Sequence, residues 1–129
     1  MIQQDYFLRV LEEFFAAIAL FLEKKKENKD DDLKDLYRQY VGDYALLRNM
    51  SVEELIAYAQ DEWKAAERVQ RLEMVAELLY VEASYKVNPL RAMLLEKAYN
   101  LFAYVDAHHN VYSMDRKAKM TKIREALGR

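Results

Sequence analysis

The 129-residue chain has no cysteine, one proline, two glycines and two histidines. Without cysteine there is no disulfide, no thiolate nucleophile and no sulfur-ligated zinc. An intracellular, cytoplasmic protein is the natural expectation. So few chain-breakers are hard to reconcile with an all-β or α/β fold, where strand ends call for turn residues. With Gly42 and Gly128 as its only glycines, the chain cannot build a phosphate-cradling loop or a Gly-x-Ser-x-Gly elbow. Its histidines, His108 and His109, are adjacent. On a helix they point about 100° apart, whereas a shared ion is gripped from positions i and i+4. No catalytic residue, metal or cofactor is therefore expected. A net charge of -2 in mixed sign also gives no strong attraction to nucleic acid or an anionic membrane.

What the chain has is apolar residues at helical spacing. They make up 53% of it, enough for a core, and predict an all-α single domain over residues 1–129. About six helices are expected, packed as a bundle. The first runs from Gln3 to about Lys26 and contains nine apolar residues in a row, Phe14 to Leu22. Phe7, Leu11, Phe14, Ile18 and Phe21 line one face, and Leu8, Phe15 and Leu22 form a second row a heptad apart. A helix apolar nearly all round must be covered on most sides. It reads as the central helix of the bundle, or as one whose second row is covered by another copy of the chain. Leu8, Phe15 and Leu22 are thus candidate self-association residues, and a homodimer is a candidate assembly. The run is about half the ~20 residues a membrane span needs. With Arg9 its only early basic residue, it also lacks the basic start of a signal peptide.

Lys24, Lys25 and Lys26 favour the negative end of the first helix dipole, and Asn28 is a plausible terminator. Asp30, Asp31 and Asp32 open a second helix that reaches about Arg48, with Leu33, Leu36, Tyr37, Tyr40, Val41, Tyr44 and Leu47 inside. Gly42 weakens it by ~1 kcal/mol relative to alanine. Ser51 and Glu54 form a capping box, and Met50 and Leu55 a hydrophobic staple, for a short third helix to about Gln60. A fourth helix starts at Asp61-Glu62 and runs to about Lys86. Its inner stripe is Val69, Leu72, Ala76, Leu79 and Ala83, and its water side is marked by Glu67, Glu73, Glu77 and Glu82. Asn88-Pro89 breaks the chain, and a fifth helix runs to about His109. The short loop between them demands an antiparallel hairpin. Ser113 caps the last helix and Gly128 ends it. From Ser113 onward six basic residues face two acidic ones. That reads as a solvated basic helix, with an acidic partner as the sharper alternative.

The opening Met1-Ile2-Gln3-Gln4-Asp5-Tyr6, followed by Arg9, Glu12 and Phe14-Phe15, resembles a bacterial protein family with no assigned activity, whose members continue as helical hairpins. The second half, from Glu73 to about Leu127, resembles tetratricopeptide (TPR-like) hairpins. Leu78, Leu79, Ala83, Tyr85, Ala92, Leu95 and Ala98 fall near that repeat's small and aromatic positions. The resemblance implies a fold that binds peptides or partner proteins.

Ten tyrosines fit this expectation, because tyrosine combines an apolar ring with a polar tip. Tyr37, Tyr40 and Tyr44 share one stripe, and Tyr85, Tyr99 and Tyr104 decorate the later hairpin. These six are candidate partner-binding residues if they line a groove, and core-margin residues if they do not. The expected function is a protein–protein interaction module, a small bacterial adaptor or scaffold with a protein or peptide partner. The alternatives are a self-associating structural protein, or an enzyme or ligand binder with a pocket between helices. An exposed apolar patch favours the first two; convergent polar groups in a pocket favour the third.

Overall fold

Helix ends leave backbone groups unpaired, and this chain breaks its helices where side chains can satisfy them. The computed structural model describes residues 2–24 and 29–129. It contains seven α-helices: α1 (Ile2–Glu23), α2 (Lys29–Tyr40), α3 (Tyr44–Arg48), α4 (Val52–Glu62), α5 (Arg68–Ala83), α6 (Leu90–His108) and α7 (Met114–Ala126). No strand occurs among the described residues. Lys25, Lys26 and the expected terminator Asn28 lie outside them.

The expected second helix is two. At its break Gly42 adopts a φ of 147°, in the region side chains rarely adopt, and a Cβ there would meet Leu47 Cδ1 at 3.2 Å. Asp43 follows as the N-cap of α3, its carboxylate accepting from the Leu46 amide at 2.9 Å. Gly42 is thus a helix terminator, not a weak interior residue. Ser51 and Glu54 do form the capping box of α4. That helix runs on through Glu62, so Asp61-Glu62 end a helix and do not begin one. The Arg68 guanidinium seals it, donating to the carbonyls of Ala59, Gln60 and Trp63 at 3.2, 3.0 and 2.9 Å.

The centre of the bundle is α5. It packs on α6 over the longest stretch, then on α2 and α4, then on α1 and α3. Every residue from Met74 to Leu79 is buried, as are Leu72, Val81, Glu82 and Ala83. The expectation that the first helix is central is therefore corrected. An apolar run long enough to be covered all round sits at the edge, where α1 packs on α2 and α5. Its inner row, Phe7, Phe14, Ile18 and Phe21, is buried. Phe14 meets the Tyr40 ring edge-on at 5.2 Å, and Phe21 lies 5.9 Å from Tyr85. The α5–α6 pair forms an antiparallel hairpin with Leu79, Ala83, Leu94, Ala98 and Leu101 inside.

Candidate docking surface

Because α5 is surrounded over its second half, Glu77 and Glu82 have no water side, and the expected wet face is corrected there, while Glu67 and Glu73 stay partly exposed. Glu82 is 0% exposed. It accepts from Arg48 Nε at 3.2 Å, from Arg48 Nη2 at 2.9 Å and from the Tyr44 hydroxyl at 3.0 Å. A carboxylate this deep persists only when its lone pairs are met. Glu77 receives Lys119 Nζ on both oxygens, at 2.7 and 2.8 Å. Burial nonetheless pushes the Glu77 carboxyl up to about 7. Burial also opposes the charge on Lys119, but the carboxylates of Glu77 and Asp115 outweigh it and hold that ammonium above its ordinary pKa. Arg116, 2% exposed, donates to Asp106 at 3.0 Å, Glu73 at 2.9 Å and the Val111 carbonyl at 3.1 Å.

These pairs explain the basic last helix. Ser113 caps α7, and Arg116, Lys119 and the buried Ile123 bind it to the acidic side of α5 and to α6. The positive charge there neutralises the chain's own carboxylates. The reading of α7 as a solvated basic helix is corrected: its inward face meets α5 and α6 while Lys117, Lys122 and Arg124 remain exposed.

The six candidate tyrosines do not share a groove. Tyr37 is fully buried and Tyr40 nearly so, so neither ring is open to a partner. Tyr37 packs edge-on against Tyr44 at 5.0 Å, with its hydroxyl unpartnered among the described residues. Tyr44 is committed to Glu82, and Tyr85 donates to Asp30 at 3.0 Å. Burial raises the pKa of Tyr37 and Tyr85, and takes Tyr44 to about 12, so all three stay protonated donors at neutral pH. Tyr99 and Tyr104 are half-buried on α6, five positions apart and so on different faces. Tyr104 stacks on His108 at 4.0 Å. Both histidines are used locally: His108 Nδ1 lies 2.8 Å from the Tyr104 carbonyl, and His109 Nδ1 accepts from the Val111 amide at 3.0 Å. Among the described residues no cluster of three or more histidine or acidic side chains could hold a metal ion.

Between α4 and α6 lies an open cleft of about 410 Å³ lined by Val52, Glu53, Met93, Glu96, Lys97 and Asn100. Two of its charged groups are already engaged, Glu96 by Arg129 at 2.7 Å and Lys97 by the Arg48 carbonyl at 2.7 Å. They do not converge on a guest, as the polar groups of a ligand pocket do.

The flank of α1 is different. Leu8, Phe15 and Leu22, the candidate self-association residues, are 53%, 42% and 50% exposed, while Leu20, 63% exposed, is five positions from Phe15 and so on another face. Between them lie the exposed Ala16 and Ala19. The Lys119 ammonium stands 5.9 Å from the Phe15 ring centroid at the margin of this strip. No described helix is long and apolar enough to cross a membrane. Compared with family models, curated proteins and solved structures, the chain matches none.

Proposed function

We propose that this chain is a protein–protein interaction module, a small bacterial adaptor or scaffold of the cytoplasm, which docks its partner on the flank of α1. One observation carries the reading. Three large apolar side chains, Leu8, Phe15 and Leu22, lie uncovered in one row of a single edge helix while the neighbouring row of that helix anchors it to the core. Patches of this kind mark interaction sites more often than bare surface. The resemblance to TPR-like hairpins points the same way, and the small Ala83 and Ala98, both buried in the α5–α6 hairpin, support it. An enzyme is disfavoured, because Glu96 and Lys97 in the cleft and the charged groups of the α5 network are tied up in bonds within the chain.

The test compares tagged wild type with Phe15→Glu in cross-linked cells, followed by titration of the purified captured protein. Phe15→Glu leaves the fold intact, since the ring is partly exposed and Lys119 stands beside it. A protein bound by wild type and lost with the variant supports docking at α1. Identical capture and identical titrations for the two would remove α1 as the docking face.

A further inference from the structure

We propose that the occupant of the α1 flank is a second copy of this chain, its α1 antiparallel to the first, with a two-fold axis passing beside Phe15. The inference rests on the docking reading above and names the partner.

The spacing is the first argument. Leu8 and Leu22 each lie seven residues from Phe15 on the same side of the helix. In antiparallel register about Phe15, each Leu8 meets the other copy's Leu22, and Phe15 meets its own counterpart. A two-fold interface needs such a self-complementary patch. Ala16 and Ala19 lie between the large side chains and allow a second helix to approach.

Charge supplies the second argument and sets the direction. Arg9 and Glu23 are exposed and flank the strip on one side. Neither forms an ion pair among the described side chains. In this register Arg9 is level with the other copy's Phe21, about 3 Å along the axis from its Glu23, an offset that the long Arg9 side chain spans, twice by symmetry. A parallel pair in the same register would set each Arg9 level with Arg9 and each Glu23 level with Glu23, which like charges oppose.

Area is the third. Three large side chains left about half uncovered present on the order of 300 Å² of apolar surface. At the usual apolar share of an interface, roughly 60%, this corresponds to about 1,000 Å² buried over both copies. That is the threshold for a specific interface, so a dimer forming at micromolar concentration is expected.

Sedimentation equilibrium and cysteine cross-linking test it together. The wild-type chain should change from monomer to dimer between about 1 and 100 µM. Phe15→Glu, which sets two carboxylates against each other at the axis, should weaken the dimer at least tenfold while keeping the helical circular dichroism of wild type. Because the chain has no cysteine, single replacements report cleanly. A mixture of Leu8→Cys and Leu22→Cys proteins should be joined by a short bismaleimide, and Leu8→Cys alone should not. A wild type monomeric throughout, a dimer untouched by Phe15→Glu, or efficient joining of Leu8→Cys to itself would each overturn the proposal. So would a flank that binds lipid vesicles while the protein stays monomeric. A monomer whose partner capture is still lost with Phe15→Glu would sink the homodimer and leave the docking module standing.

Discussion

Arg116 is the most consequential single charge in the chain, and its removal has a calculable effect. Its guanidinium is 2% exposed and holds Glu73, Asp106 and the Val111 carbonyl together. Arg116→Met keeps most of the stem packing and deletes the donors. Asp106 would retain Lys117 at 2.6 Å, but Glu73, only 17% exposed, would keep no cation among the described residues. Breaking a buried pair by removing one partner costs about 3–5 kcal/mol, most of it from the charge left behind. Water reaching the partly open Glu73 lowers this, so about 3 kcal/mol is expected for Arg116→Met and somewhat more for Arg116→Ala, which also loses the stem. Against a total of 5–15 kcal/mol for a typical domain, such a loss is large. Urea melts at pH 7 measure it. Adding Glu73→Gln to Arg116→Met should restore part of the loss by removing the stranded charge. A loss below about 1 kcal/mol for Arg116→Met, the level of exposed ion pairs, would refute the claim that this guanidinium fastens α7.

Two further outcomes follow from buried groups. Glu77 has a folded-state pKa near 7 against an ordinary 4.5. The folded chain therefore holds more protons than the unfolded one between those values, and the contribution is greatest below 4.5 and falls away as pH rises to 7. The upper bound is about 3 kcal/mol. The Lys119 ammonium facing this carboxyl lowers its pKa, and the charges of Asp115 and Glu73 add to the rise caused by burial. Urea melts from pH 5 to 7.5 should show this decline, and Glu77→Gln should flatten it; an unchanged slope in that variant would assign the decline elsewhere. On α1, Phe14→Ala should cost about 3–5 kcal/mol because the ring is fully buried. Phe15→Ala should cost far less, and near-equal losses in thermal melts would contradict the assignment of inner and outer rows.

Local chemistry was legible in the sequence. Helix content followed from the scarcity of chain-breakers, and Ser51, Glu54 and Ser113 occupy the caps their neighbours imply. What escaped sequence reasoning depends on distant partners. Glu77 and Glu82 look like the wet side of an amphipathic helix, since their cations lie 42 and 34 residues away in the chain. One signal was available: Met74-Val75-Ala76 and Leu78-Leu79 put apolar residues on several sides of α5, as a surrounded helix requires. Gly42 was misjudged by propensity alone, although an Asp directly after it signals a terminator followed by an N-cap. The α1 flank was found as a row of residues, but not as a surface. Periodicity locates a stripe without saying whether another helix of the same chain covers it, and here α5 took the central place.

The account turns on α5 being enclosed while the flank of α1 is open until another molecule covers it. Maleimide labelling of two single-cysteine variants, Phe15→Cys on α1 and Ala76→Cys on α5, tests this most directly in a chain with no thiol of its own. At submicromolar concentration Phe15→Cys should react close to the rate of a free thiol and slow as protein concentration rises into the micromolar range, whereas Ala76→Cys should react only as fast as the chain unfolds, at every concentration. Slow, concentration-independent labelling of Phe15→Cys, matching Ala76→Cys, would show that α1 is the enclosed helix and would contradict the account.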